Sequence, residues 1–544
     1  MPKARMKVQG MTCNHCARAV EQLLLQAGAS DPKANWRTGE ATFSLKGDRD
    51  LIDRAFAGSG YRPEEIELLD EAHRPKPPRG GGNYDLVAIG AGSAAFAAAI
   101  RATNLGARVA IVERNTVGGT CVNVGCIPSK NLLAASEIYH QAGHHPFSGV
   151  VTVQGDIDMA ALVGMKANIV AMLRQDKYLD LAAHYGFDLI QGTARFTDPG
   201  AIEVDGRRVE APHFLIATGS APWAPPIEGL EQAGYLTSTS AMELKELPSS
   251  LVVVGGNYIG LEMGQLFANL GTKVTILEAL DRIAPLEEPE ISLWLTKILS
   301  DQGIEVVAGA RVIRVEGGDT KTVVAEVDGV QVGFETADVL VATGRRPVLD
   351  GLGLEQAGIE RDERGDLVLD DELRTTNERV FAAGDVTGAP QFVYVAAAQG
   401  TVAADNAVAG AHRKMDYEAL PRVTFTTPNI AAVGLTDAQA QQRGYECECR
   451  VVDLEHVPRA IVNLDTRGAI KIVAERGTGK VLGIHAIAAN AGEIILGGVY
   501  AVKFGLTVQD LADTWCPYLT MAEGIKLTAQ AFTTDVDKLS CCAA

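Results

Sequence analysis

Two stretches of the chain repeat one rhythm of apolar and polar positions. "YDLVAIGAGSAAFAAAIRATNLGARVAIVER", residues 84–114, runs from an apolar block through a glycine-rich turn into a helical period. A Leu-Gly step and a second apolar block complete it. "SLVVVGGNYIGLEMGQLFANLGTKVTILEA", residues 250–279, has the same layout. In each unit an acid follows the first glycine by 23 residues, Glu113 after Gly90 and Glu278 after Gly255. A single strand–turn–helix of this kind is weak evidence; two in tandem predict two Rossmann-like dinucleotide-binding domains. Gly90, Gly92 and Ala95 occupy the fingerprint positions of the first, with Glu113 placed to accept a ribose hydroxyl. Gly255, Asn257 and Gly260 occupy those of the second. Asn257 stands where the middle glycine belongs, and the expectation is a backbone slightly farther from the pyrophosphate there. Glu278 favours an unphosphorylated ribose, hence NADH over NADPH, while the nearby Arg282 leaves the choice open.

The first seventy residues have a different texture. "ARMKVQG" and "EATFSLKG" read as strands, and "NHCARAVEQLLLQAG" and "DLIDRAFAGSG" as amphipathic helices. They predict a small ferredoxin-like βαββαβ unit. "EAHRPKPPRGGGN", residues 71–83, lacks apolar periodicity and reads as a linker. Beyond about Arg422, strands such as "GAIKIVAE" and a helical "AEGIKLTAQAFTT" predict a separate α+β domain. The expected division is 1–70, the linker 71–83, then 84–222, 223–347, 348–421 and 422–544.

Composition narrows the classes. At 544 residues, with 47% hydrophobic and 22% charged positions, several soluble domains are expected. A net charge of −19 argues against a nucleic-acid surface, which needs clustered Lys and Arg. No apolar run reaches membrane-spanning length and "MPKARMKVQG" is no signal peptide, so the chain reads as cytoplasmic and without membrane insertion.

The nine cysteines carry the chemistry, because in a reducing compartment clustered thiols are more often catalytic or metal-binding than structural. Cys121 and Cys126 lie in "GGTCVNVGCIPSK", directly after the first unit's acid. Pro128 suits a first helical turn, so a helix beginning near Cys126 is predicted, its free N–H groups favouring a thiolate. Cys13 and Cys16 form C-x-x-C in "GMTCNHC", on a loop leading into a helix, where two thiols can face one soft ion. His15 between them reads as a solvated loop residue. Cys541 and Cys542 sit side by side in "KLSCCAA". Cys447 and Cys449 alternate along a strand, facing one side, and receive no role; Cys516 reads as packing.

Taken with "IATGS", "VATGRRP" and "VFAAGDV", these motifs make residues 84–544 resemble the pyridine nucleotide–disulfide oxidoreductases. That resemblance implies FAD on the first unit, with Gly119, Thr120 and Gly219 among its contacts and Asp385 on the ribityl chain. It implies NADPH or NADH on the second, with Gly344 nearby. It also implies a Lys130–Glu262 pair beside the flavin, Tyr258 gating the nicotinamide site, and a homodimer built through the last domain.

Within that family, disulfide reductases of small thiols use a His base in a segment matched here by "CPYLTMAE". Tyr518 takes the place of the His, and a phenol with a pKa of about 10 is a poor base at neutral pH. A Tyr at this position and a terminal Cys pair resemble the mercuric reductase branch. The likeness implies that Hg(II), taken from low-molecular-weight thiol complexes by Cys541 and Cys542 of a partner subunit, reaches Cys121 and Cys126. There it is reduced to Hg(0), flanked by Tyr258 and Tyr518. The first seventy residues resemble heavy-metal-associated domains, with Cys13 and Cys16 as ligands. Two alternatives stand beside this reading: an atypical lipoamide or low-molecular-weight disulfide reductase, and a metal-trafficking protein whose flavin unit keeps its thiols reduced.

Overall fold

The computed structural model describes residues 3–36, 38–45, 49–69, 84–318 and 320–538. The linker and the terminal Cys541–Cys542 pair lie outside them. Chain contacts divide the molecule into two units, Met1–Gly81 and Gly82–Ala544.

In the first unit, strands Lys3–Gln9, Ala29–Asn35, Glu40–Leu45 and Arg62–Leu69 form one antiparallel sheet in the order second, third, first, fourth. Helices Asn14–Gln26 and Arg49–Phe56 complete the βαββαβ pattern. Alternate positions Ala4, Met6 and Val8 are buried, as period-two strands on one covered face require. Val20, Leu24, Phe43, Ile52 and Phe56 close the core.

The second unit begins with a five-stranded parallel sheet of Val380–Ala382, His213–Ile216, Leu86–Ile89, Val109–Glu113 and Asp188–Gln191, in that spatial order. Leu86–Ile89 is buried at every position, which is why it reads as an unbroken apolar block. Helix Ser93–Asn104 packs against Val393–Ala409 closely enough that a Cβ on Gly400 would meet the Ala94 carbonyl oxygen at 2.1 Å. A second parallel sheet, in the order Glu305–Val307, Lys273–Leu277, Ser250–Val254, Asp338–Val341, repeats the theme. The two parallel-sheet units are joined where Ser220–Pro222 pairs antiparallel with Arg345–Pro347.

The last part is an antiparallel sheet of Pro421–Thr424, Asn429–Gly434, Val481–Ala488, Ala469–Glu475 and Cys447–Asp453, in that spatial order, covered by helix Ala491–Phe504. That helix buries Ile495, Gly498 and Ala501, yet leaves Leu496, Tyr500 and Phe504 at 52%, 52% and 68% exposure on its other face. Among the described residues, no helix is long and apolar enough to cross a membrane.

Candidate active site

Helix Cys126–His144 begins at the second cysteine of the "GGTCVNVGCIPSK" motif, as Pro128 predicts. Cys121 sits in the short preceding helix Gly119–Val124. The turn between them depends on Gly125, where a Cβ would meet the Thr120 carbonyl oxygen at 2.9 Å. Both thiols are half-buried. A hydrogen bond from Cys121 pulls Cys126 down, burial pushes it up, and the Lys130 charge pulls it down again; Cys126 settles at about 7. Cys121, bonded to that thiolate and desolvated, is pushed far above the usual thiol range. Of the pair, Cys126 is therefore the thiol that loses its proton first, around neutral pH, while Cys121 keeps its own.

Lys130 stands on the helix that Cys126 opens, and its Nζ lies 2.6 Å from Glu262 Oε2. Glu262 is buried, and its Oε1 accepts the backbone N–H of Phe425 at 2.9 Å. Tyr258 opens helix Tyr258–Asn269 and donates its hydroxyl to Glu287 Oε1 at 3.2 Å. Tyr518 is half-exposed, in the turn before helix Glu523–Gln530. That turn is pinned by Glu523, whose Oε2 accepts the Leu519 N–H at 2.9 Å.

The residues fit both cofactors. Gly90 lies so close to Ala217 that a Cβ would meet its carbonyl oxygen at 2.4 Å, and a Cβ on Gly119 would meet Gly92 Cα at 2.5 Å. No side chain caps helix Ser93–Asn104, so its N-terminal N–H groups are free for phosphate. Asp385 Oδ2 accepts Ser220 Oγ at 2.7 Å, and Arg345 Nε donates to that same Oγ at 2.8 Å. Gly219 and Gly344, beside these two residues, both have positive φ. In the second unit a Cβ on Gly255 would meet the Ala342 carbonyl oxygen at 2.6 Å, and one on Gly260 the Gly255 oxygen at 1.9 Å. Asn257 has φ −110° and ψ −172°, the extended conformation of Gly92 at −87° and −173°. The backbone conformation thus matches that of the first unit, an extended conformation open to any residue. Asn257 caps nothing, and its buried Oδ1 has no hydrogen-bond partner, an amide oriented for a ligand.

The two acids behave alike. Glu113 accepts the N–H groups of Ala91 at 2.9 Å and Asn115 at 2.7 Å, and Glu278 those of Gly256 at 2.7 Å and Leu280 at 2.9 Å. Each carboxylate thereby fixes its own glycine turn. Arg282 is committed elsewhere, to Ser292 Oγ at 2.6 Å and the Pro285 carbonyl at 2.8 Å.

In the first unit Cys13 and Cys16 have their sulfurs 3.5 Å apart. Cys13 is the N-cap of helix Asn14–Gln26, so Cys16 and His15 lie within the first helical turn rather than on a loop. Hydrogen bonds from the backbone and hydroxyl of Thr12, then from Tyr61 and Cys13, bring Cys16 down to about 6. Cys447 and Cys449 pack against one small cluster with Ala440, Val473 and Leu482. Burial raises the Cys516 thiol above its ordinary range.

Three residues of the site, Glu287, Arg422 and Phe425, carry no readable signal in the sequence, and Ser220 was legible only as the end of "IATGS". "IATGS" and "VATGRRP" offered the one clue, since each places an ATG turn after a parallel strand and their flanks pair in the fold.

Comparison with known proteins places these features. The pyridine nucleotide-disulphide oxidoreductase family model matches residues 84–400, and that family's dimerisation domain matches 420–529. The mercuric reductase of Bacillus cereus is 48% identical over 551 residues, covering 100% of this chain and 87% of the relative. That of Streptomyces lividans is 54% identical over 468 residues, covering 85% of this chain and 98% of the relative. Among solved structures, the Cu(II) complex of the HOCl-induced flavoprotein disulfide reductase RclA from Escherichia coli superposes with a TM-score of 0.75 at 31% identity. It covers 84% of this chain and 100% of its own. LpdA from Mycobacterium tuberculosis gives 0.74 at 28%, covering 82% and 100%. With both family models matched and mercuric reductases aligned along its full length, the chain belongs to the pyridine nucleotide-disulphide oxidoreductases, in their mercuric reductase family.

Proposed function

We propose that this chain reduces Hg(II) to Hg(0) at Cys121 and Cys126. The observation that carries the reading is a dithiol whose Cys126 loses its proton around neutral pH while Cys121 keeps its own, in a chain whose last His is His485. The His-bearing segment of the disulfide reductases here holds Tyr518. Dithiol–disulfide exchange needs a base for the departing proton; capture of a soft cation needs thiolates.

FAD, held by the Gly90–Gly92 turn, Gly119 and Asp385, and a nicotinamide cofactor on the Gly255–Gly260 turn supply the electron pair. Cys126, whose thiolate becomes available around neutral pH, takes Hg(II) from an incoming thiolate complex. Cys121 passes its proton to the thiolate displaced from the incoming complex as the second sulfur–metal bond forms, and the Lys130 charge stabilises the sulfur anion meanwhile. Two electrons then convert the bound ion to the neutral atom, which has little affinity for thiolate and leaves. Tyr258 and Tyr518 flank the metal in this reading.

The domain division sketched from the sequence belongs to the same proposal, with 84–222 and 348–421 holding FAD and 223–347 the nicotinamide cofactor. So does a homodimer, supported by the exposed apolar row Leu496, Tyr500 and Phe504 on the dimerisation domain. Cys541 and Cys542 of one protomer would then deliver the ion to the other, and Cys13 and Cys16 would raise its local supply through the tether.

The deciding experiment measures NADH and NADPH oxidation with Hg(II), lipoamide and glutathione disulfide side by side, trapping volatile mercury. Metal-dependent turnover with Hg(0) release is expected, reduced in Cys541→Ala/Cys542→Ala when the metal arrives as a thiol complex. Brisk turnover of either disulfide without mercury vapour overturns the reading.

A further inference from the structure

The Tyr258 hydroxyl donates to a carboxylate that is itself firmly held. Its acceptor, Glu287, has a side chain 1% exposed. Arg422 grips that carboxylate with a fork, Nε to Oε1 at 3.2 Å and Nη2 to Oε2 at 3.1 Å. The fully buried ring of His485 lies behind it, Nδ1 standing 3.9 Å from Oε2. Burial alone would raise the Glu287 carboxyl, but His485 and Arg422 outweigh it and hold it at about 2. The carboxylate is thus charged throughout the working range, and a phenol donating to a buried charged acceptor makes a strong hydrogen bond.

The Tyr258 ring is held from a second side. It lies 6.4 Å from Phe392, centroid to centroid, and Phe392 stacks on Tyr394 at 5.3 Å with the planes 5° apart. The Tyr394 hydroxyl donates to the Pro421 carbonyl at 2.6 Å. Pro421 directly precedes Arg422, so the contacts close a ring from strand Pro421–Thr424 through Glu287, Tyr258, Phe392 and Tyr394 back to that strand. One residue beyond the strand, the Phe425 N–H holds Glu262 and thereby Lys130. A single edge strand of the dimerisation domain ties down both the Lys130–Glu262 ion pair and Tyr258.

We infer that Glu287 and Arg422 are positioning residues that latch Tyr258 closed, so that a nicotinamide ring enters only by breaking the Tyr258–Glu287 hydrogen bond. This rests on Tyr258 gating the nicotinamide site, which the family resemblance implies, and on the proposed function's placing of that coenzyme at the Gly255–Gly260 turn. A ligand that must first break a latch binds with its intrinsic affinity reduced by the population of the open state. Removing the hydroxyl while keeping the ring therefore tightens nicotinamide binding instead of weakening it.

The test uses the oxidised holoenzyme without any metal. NAD+ affinity is measured by calorimetry and flavin bleaching by stopped flow with NADH, for wild type, Tyr258→Phe, Glu287→Gln and the double variant. Tyr258→Phe is expected to lower the Kd for NAD+ by about tenfold or more, the scale set by loss of one charge-assisted hydrogen bond. Glu287→Gln is expected to move it the same way by less, and the double variant to match Tyr258→Phe, because both act on one bond. Unchanged or weaker NAD+ binding in Tyr258→Phe, or effects that multiply in the double variant, overturns the inference. Should Glu287→Gln fail to fold with Arg422 left unpaired, Tyr258→Phe alone decides. A merely structural role would lower the melting temperature without tightening Kd. Because no mercury enters the assay, loss of Hg(II) reduction would refute the proposed function and leave this result standing, and the converse also holds.

Discussion

Lys130 Nζ and Glu262 Oε2 stand 2.6 Å apart, and both charges act on Cys126 in opposite senses. Lys130 favours the thiolate and Glu262 opposes it. Alkylation of the reduced enzyme by iodoacetamide should fall as pH drops through about 7, because only the thiolate reacts. Lys130→Met should move that midpoint up and Glu262→Gln should move it down, each by about one unit. Lys130→Met also strands a buried carboxylate, which destabilises by about 3 kcal/mol. Midpoints shifting in the same direction in both variants would remove the electrostatic account of the pair.

Gly119 and Gly92 make the tightest test of the flavin cradle. Gly119 has φ +64°, and a Cβ there would meet the Gly92 Cα at 2.5 Å, a backbone atom that cannot swing away. Gly219 has a similar φ of +68° but open space around it. Gly119→Ala should therefore lose flavin and drop the melting temperature. Gly219→Ala should cost only the left-handed strain of about 1 kcal/mol. Flavin-to-protein absorbance ratios of the purified variants check this, and equal retention in both would refute the close-approach argument.

In the first unit the depressed thiol is Cys16, at about 6, held there by the backbone and hydroxyl of Thr12 and then by Tyr61. Its alkylation midpoint in the full chain is expected near pH 6. Thr12→Ala and Tyr61→Phe should each raise it, since each removes a donor to the thiolate. Hg(II) retention by a chain lacking the other reactive cysteines should weaken as pH falls through the same range. A midpoint near 9 in the unaltered chain would contradict the hydrogen-bond account.

What the sequence made legible follows from how local each signal is. The helix start at Cys126 rests on residues within one turn, and the duplicated units rest on a repeat that needs no long-range knowledge. The Lys130–Glu262 pair spans 132 residues and was reachable only through family likeness. Glu287 and Arg422, 135 apart, had no such likeness behind them and went unread. Asn257 shares the extended backbone of Gly92, so its departure from the fingerprint changes the side chain and not the turn's conformation. The helical period of "NHCARAVEQLLLQAG" matches helix Asn14–Gln26, so His15 and Cys16 lie in its first turn and Cys13 caps it.

Coenzyme choice turns on Glu278 and Arg282. Both Glu278 oxygens accept backbone N–H groups, from Gly256 and Leu280, so the carboxylate is anchored at the end of its strand. A 2′-phosphate placed beside it would meet like charge. Arg282, the cation that could offset this, is spent on Ser292 and the carbonyls of Ala284 and Pro285, which hold the turn leading to Glu287. Redirecting it would unmake that turn. Like-charge juxtaposition of this kind costs several kcal/mol, so kcat/KM should favour NADH over NADPH by at least about tenfold. Glu278→Gln should narrow the gap mainly through the KM for NADPH, because it removes repulsion without adding a phosphate partner. A clear NADPH advantage in the unaltered enzyme would mean that Arg282 leaves its turn to meet the phosphate.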